Sequence, residues 1–114
     1  MPATLLAEAR ELVLRGWCQG ADAEDAQGAP VVAWDPVARR WSALGALVAT
    51  AGGPSALVRG GPSLERLAKA ALALGLAADA EVLKDWNDAP DRTQADVLEA
   101  FDRAIDLAAG SAAA

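Results

Sequence analysis

The sequence predicts an all-α fold: a compact bundle of four to five short helices, with a short hairpin or an extended loop across residues 20–34. Hydrophobic residues make up 54% of the 114 residues, and alanine is the commonest of them. Alanine loses no side-chain entropy on entering a helix, so this composition favours helices. Apolar residues also recur at helical spacing in several segments. A chain of this length is expected to form a single helical domain, residues 1–114.

The first helix is predicted from about Leu5 to Arg15, because apolar residues recur along one face of that segment. Gly16 is expected to end it by adopting a left-handed conformation. The conformation of residues 18–34 is left open between a hairpin and an extended loop, since turn-forming residues precede a β-leaning run at 31–34.

Asp35-Pro36 is a strong helix-start pattern, with aspartate as N-cap and proline at the first helical position. The predicted second helix carries Trp41 in its middle and is apolar over most of its circumference, so we expect it to be central. Its face at Leu47 and Thr50 is expected either to form a two-fold dimer or to be covered by the loop that follows.

In the C-terminal half, the sequence predicts a connecting segment followed by three helices. Residues 52–62 are rich in glycine and proline and are expected to be a flexible connection. A third helix is predicted at about 63–74, and a short helix is expected after an Asp79 cap. Thr93 and Asp96 have the spacing of a capping box for the last helix. That helix is expected to end at Gly110, with residues 111–114 frayed.

Composition excludes several chemistries. The chain has no histidine and no tyrosine, which removes the commonest general base and every histidine-dependent triad. Cys18 is the single cysteine, so neither an intramolecular disulfide nor a cysteine-based zinc site can form. It is expected just past the C-terminal end of a helix, where the dipole disfavours a thiolate. We therefore predict a buried, unreactive thiol, no cofactor and no metal site.

Charge and hydropathy bear on partners and location. The net charge is −6, with the acidic excess in the C-terminal third, and no dense basic stripe is available to neutralise phosphates. No apolar run approaches the length needed to span a bilayer. The sequence thus predicts a cytoplasmic protein that binds neither nucleic acid nor a membrane, with a protein partner or self-association left open.

A polar corner is the candidate binding site. Its residues combine tryptophans with amide, carboxylate and guanidinium groups: Trp17, Gln19, Trp86, Asn87, Asp88 and Arg92. Two interpretations stay open. These side chains either converge on a ligand pocket, or they form a structural clasp that joins helix ends.

Three ordered motifs carry a resemblance: RGWCQGA at 15–21, WSALGAL at 41–47 and WNDAPDRT at 86–93. With these motifs the chain resembles a family of small proteins from high-GC bacteria and phages, catalogued as a domain of unknown function. The family often has a cysteine where this chain has Ser42. The resemblance implies no established activity, so it adds only an expectation about the fold.

Two functions are compatible with these residues. The first is a non-enzymatic interaction or accessory module that binds a protein partner, or itself, through a helix face or the acidic C-terminal corner. The alternative is a small-molecule binder or unusual enzyme that uses the polar corner, with tryptophans as walls. The missing catalytic residue types favour the first.

Overall fold

The computed structural model describes the backbone of residues 2–50 and 80–113, and side chains within 6–50 and 83–106. This part of the chain is mixed α/β, so the all-α prediction is wrong. In chain order the elements are α1 (Pro2–Arg15), β1 (Ala23–Glu24), β2 (Pro30–Val31), β3 (Arg40–Trp41), α2 (Ala43–Thr50), α3 (Ala80–Asn87) and α4 (Gln94–Ala113).

The core lies where α1 packs against α4 and α2. Helices α1, α3 and α4 are those expected from the apolar spacing, and each supplies wholly buried side chains. The largest fully buried apolar side chains are Leu6, Val13, Leu47, Leu83, Val97 and Phe101. Removing surfaces of this kind from water is the main driving force that holds the helices together.

Two polar contacts fix α4 against α1. Gln94 Nε2 donates a hydrogen bond of 2.8 Å to the carbonyl oxygen of Val13. Arg10 Nε lies 2.6 Å from Asp102 Oδ1, which forms an ion pair between the two helices. These contacts lie at positions far apart along α4, so they set its angle as well as its distance from α1.

The capping box at the start of α4 is confirmed. The amide of Asp96 donates to Thr93 Oγ1 at 3.2 Å, and the amide of Thr93 donates to Asp96 Oδ2 at 3.0 Å. Both bonds satisfy amides that have no partner within the helix. At the other end, α4 continues to Ala113, beyond the end predicted at Gly110.

The sheet is antiparallel, with strand order β2-β1-β3. Ala23 pairs with Val31 on one side and with Trp41 on the other. The hairpin alternative for residues 20–34 is therefore confirmed for β1 and β2. Its turn depends on Asp25, whose Oδ1 accepts the amides of Gln27 and Ala29 at 2.9 Å each. Gly28 adopts a φ of 84°, which favours glycine.

The helix start predicted at Asp35-Pro36 is wrong, because these residues form a turn. Asp35 Oδ1 accepts the amide of Val37 at 2.9 Å, and the Asp35 carbonyl accepts the amide of Ala38 at 2.9 Å. Asp-Pro begins turns as readily as it begins helices. Here the pairing of β3 with β1 decides the outcome, and it places Trp41 in a strand rather than in a helix.

The second helix begins instead at Ala43, with Ser42 as its N-cap. Ser42 Oγ accepts the amide of Gly45 at 3.0 Å. A Cβ atom at Gly45 would overlap the carbonyl of Asp22, so glycine is needed for this close approach. Residues 43–48 are all buried, which confirms the predicted central position of this helix.

Gly16 follows the predicted helix end but acts differently from the prediction. It is not among the described glycines with positive φ. A Cβ atom at Gly16 would instead overlap the carbonyl of Arg39, the residue before β3. The amide of Trp41 donates to the Gly16 carbonyl at 3.0 Å, so the chain after α1 runs against the sheet.

Several expectations lie outside the described residues: the 52–62 connection, the helix at 63–74 and the Asp79 cap. Leu47, one of the two residues of the predicted dimer surface, is only 1% exposed. The loop that was the alternative cover for this face lies outside the described residues, so the choice between a dimer and a covering loop stays a prediction. None of the described helices combines the length and the apolar content that crossing a membrane requires.

Candidate functional site

The polar corner forms where the segment after α1, the start of α2 and the end of α3 meet. These three segments are distant in sequence, with separations of 44 and 70 residues across two of the contacts. All six predicted residues belong to this corner or to the turn that follows it. Gly45 and Gly16 allow the backbones that surround it to approach closely.

Asn87 is the centre of the corner, and its side chain is wholly buried. Its Oδ1 accepts the indole N–H of Trp17 at 2.8 Å and the amide of Ala43 at 3.1 Å. Its Nδ2 donates to the Cys18 carbonyl at 3.1 Å and to Asp88 Oδ1 at 3.0 Å. An amide side chain has two donors and a two-lone-pair acceptor, so Asn87 is fully satisfied within the protein.

The bond to Ala43 gives Asn87 a role in two helices. Asn87 is the last residue of α3, while Ala43 is the first residue of α2. The first amides of a helix have no partner within that helix. A side chain at the end of α3 therefore caps the start of α2, which holds the two helices in a fixed relation.

Gln19 and Asp88 join the segment after α1 to the end of α3. Gln19 Nε2 donates to the carbonyls of Asn87 at 3.0 Å and Ala89 at 2.9 Å. Asp88 Oδ1 accepts the amide of Gly20 at 2.9 Å. The last carbonyls of a helix also lack partners within the helix, so Gln19 acts as a C-terminal cap supplied from a distant segment.

Arg92, from the turn before α4, contacts the same helix end. Its Nε donates to the Trp86 carbonyl at 2.9 Å, and its guanidinium lies 4.0 Å from the centre of the Trp86 ring. This geometry is a cation–π contact combined with a helix cap. Arg92 and Gln19 thus bind carbonyls of the same helix end rather than the walls of a pocket.

The electrostatics of the corner disfavour nucleophilic chemistry. Burial, helped by the carboxylates of Glu24 and Asp88, raises the pKa of the Cys18 thiol from 9.0 to about 12. Cys18 is buried, and its Sγ lies 3.6 Å from the Ala21 carbonyl. A thiol with such a pKa is almost entirely protonated at neutral pH, and the thiolate is the reactive form.

Every buried side-chain nitrogen and oxygen in the described part of the chain has a hydrogen-bond partner. The corner therefore brings the six predicted residues together, but their described polar contacts are with one another and with backbone groups. This arrangement can hold helix ends in place. Its use as a ligand site stays a prediction.

A second feature, missed by the sequence reasoning, is an open groove beside α1 with a volume of about 500 Å³. We call it the Trp34 groove. Its lining combines one face of α1, the turn at 33–35 and the end of α2: Glu8, Glu11, Leu12, Arg15, Ala33, Trp34, Asp35, Trp41, Ala49 and Thr50.

Two signals in the sequence bear on this groove. Glu8, Glu11 and Arg15 are spaced so that they lie on one helix face. Trp34 stands next to a turn, where a large apolar ring is easily left exposed. Neither signal shows that the turn packs beside α1, because that placement depends on the pairing of β3 with β1.

Comparison with known proteins identifies one family. The model of a family of unknown function, DUF6197, matches residues 1–107. No curated protein and no solved structure matches the chain.

Proposed function

The chain belongs to DUF6197, a family of unknown function, and we propose that it is a non-enzymatic interaction module that binds a protein partner in the Trp34 groove. The observation that carries this proposal is the exposure of Trp34, which lines the groove with 38% of its surface open to solvent. Exposed tryptophans are typical of the residues that contribute most to protein–protein binding.

The other tryptophans contrast with Trp34. The indole N–H of Trp17 binds Asn87, and that of Trp41 binds the Ala33 carbonyl at 3.0 Å. Trp86 is covered by the Arg92 guanidinium. Three tryptophans thus have described structural contacts, which supports a separate role for the fourth.

The composition and the corner support a binding role over catalysis. The chain lacks histidine and tyrosine. The polar side chains that were candidates for an active site bind one another or backbone groups. The acidic net charge of −6 supports a protein partner rather than nucleic acid. We also propose that the chain forms a single domain and acts in the cytoplasm.

A selection of random peptides displayed on phage tests the proposal, with the indole resonances of the four tryptophans as the readout. Enriched peptides should shift the Trp34 resonance, and Trp34→Ala should weaken their binding at least tenfold. Val37→Ala is the matched control, since Val37 is 50% exposed but does not line the groove. Peptides that shift only Trp17 or Trp86 would overturn the proposal in favour of a ligand site at the polar corner.

A further inference from the structure

The charges of the Trp34 groove indicate what kind of partner it fits. Glu8 and Glu11 line it from α1, and Asp35 lines it from the facing turn. Arg15 is the single basic residue among the lining side chains. The lining therefore has an excess of negative charge, in a protein whose net charge is also negative.

The carboxylates on α1 are not neutralised by described bases. The described ion pairs join Arg10 to Asp102, Arg40 to Glu24 and Arg103 to Glu99. No described base lies within ion-pair distance of Glu8 or Glu11, although Arg15 is one helical turn from Glu11. Both glutamates are exposed, so a charged partner can reach them at little desolvation cost.

Trp34 adds a second attraction for positive charge. The face of a tryptophan ring is the best aromatic surface for a lysine ammonium or an arginine guanidinium. Within the same chain, Arg92 already lies 4.0 Å from the centre of the Trp86 ring. In the Trp34 groove the ring is exposed and carboxylates line the same groove, so a cation would meet both attractions at once.

We propose that the occupant of the Trp34 groove is a basic segment of a partner protein, whose lysine or arginine side chain lies against Trp34 and pairs with Glu8 and Glu11. The groove is open rather than enclosed, so it cannot surround a small free amine as ligand pockets usually do. A peptide segment can extend past both ends and place an apolar side chain near Leu12. This inference rests on the proposed function, which it narrows to one class of partner.

The test uses three acetylated and amidated peptides that share a leucine–alanine–glycine framework and differ only in carrying lysine, glutamine or glutamate. Each is titrated into the whole protein while the four indole resonances are followed. The lysine peptide should shift Trp34 in a saturable way, and the glutamate peptide should leave it unchanged. Added salt should weaken the binding of the lysine peptide, because salt screens the exposed charges of the groove and of the peptide.

Matched charge variants separate this site from general attraction to an acidic protein. The double variant Glu8→Gln/Glu11→Gln should raise the Kd of the lysine peptide about tenfold, since two exposed ion pairs are lost. Asp85→Asn/Asp91→Asn removes the same charge from exposed residues that do not line the groove. This control should change the Kd by less than about twofold, the effect expected from screened charges at a distance.

The outcomes distinguish the two proposals. Equal effects of both double variants would overturn the basic-segment inference. So would a glutamine peptide that binds at Trp34 as well as the lysine peptide, although the groove would then stand as a binding site. If neither these peptides nor phage-selected peptides shift Trp34, both proposals fail.

Discussion

The polar corner and the Trp34 groove contain similar residue types, since both combine tryptophans, carboxylates and an arginine. In the corner, the Trp17 N–H, the Asn87 amide and the Asp88 carboxylate bind other groups of the protein. In the groove, Trp34, Glu8 and Glu11 are exposed to solvent. Gln19 and Asp88 of the corner are exposed as well, but their described polar groups already have partners within the protein. The two regions therefore differ in how far their polar groups are already paired, rather than in the types of residue that they contain.

Replacement of Asn87 by alanine is the largest perturbation of the corner. It removes the Oδ1 atom and so leaves the Trp17 N–H and the Ala43 amide without their acceptor. Each buried group left unpaired costs about 1–3 kcal/mol, so the free energy of unfolding should fall by about 3–5 kcal/mol. Urea denaturation of the variant and of the original protein measures this difference in the free energy of unfolding. A loss below about 1 kcal/mol would mean that the corner is not a clasp.

Gly45→Ala tests the close approach beside the corner. In an ordinary helix interior this change stabilises by about 1 kcal/mol. Here the new Cβ would overlap the Asp22 carbonyl, so we expect a destabilisation of about 2–3 kcal/mol from the forced backbone shift. Thermal and urea unfolding should agree on the sign. A stabilised variant would show that α2 does not approach the β1 segment as closely as described.

The raised pKa of the Cys18 thiol should make the free energy of unfolding depend on pH. Its pKa is raised from 9.0 to about 12 in the folded state, so the folded protein holds this proton more tightly than the unfolded chain. The contribution of this thiol to the free energy of unfolding is fully present below pH 9 and is lost as the pH rises towards 12. By pH 10 the loss should be about 1.4 kcal/mol.

Cys18→Ala is the control for that window. Because the variant has no thiol, its free energy of unfolding should show no decrease due to thiol ionisation between pH 8 and 10. This interval surrounds the ordinary thiol pKa of 9.0. At neutral pH a thiol reagent should label the native protein slowly and the denatured protein fast. Rapid labelling of the native protein would contradict the buried, protonated thiol.

Gln19→Ala gives a smaller effect within the corner. It removes two hydrogen bonds to the carbonyls at the end of α3, but the side chain is exposed, so water can replace the amide. The expected destabilisation is about 1 kcal/mol, the usual size for a helix cap. Chemical denaturation measures this loss. Gln19→Glu tests the same contact, because it replaces the amide donor with a negative charge that the carbonyl oxygens repel.

The groove variants should have the smallest effect on stability. Glu8→Gln/Glu11→Gln alters exposed side chains that have no described ion pair, so the free energy of unfolding should change by less than about 0.5 kcal/mol. Substitutions that weaken binding without weakening the fold are the expected signature of a surface kept for a partner. A loss of stability comparable to that of Asn87→Ala would remove the distinction between the two regions.

Local signals in the sequence determined the features that depend on near neighbours. The apolar spacing determined α1, α3 and α4, and the capping box at Thr93 and Asp96 determined where α4 begins. The end of α1 at Arg15 was also predicted, although the reason for Gly16 was wrong. Contacts within one or two helical turns specify such features, so one stretch of sequence contains the information.

Tertiary structure alone decided the sheet, the course of residues 35–42 and the partners of Asn87. Asp35-Pro36 fits a turn and a helix start equally well, and the choice depends on the pairing of Trp41 with Ala23. The side-chain oxygen of Asn87 accepts a hydrogen bond from Trp17, which lies 70 residues away in the sequence. Pairing across such distances depends on how all elements pack together, whereas helix caps and apolar spacing act locally. For this reason the sequence was sufficient to predict α1, α3 and α4, but the start of α2, the sheet and the contacts of the corner depend on the tertiary structure.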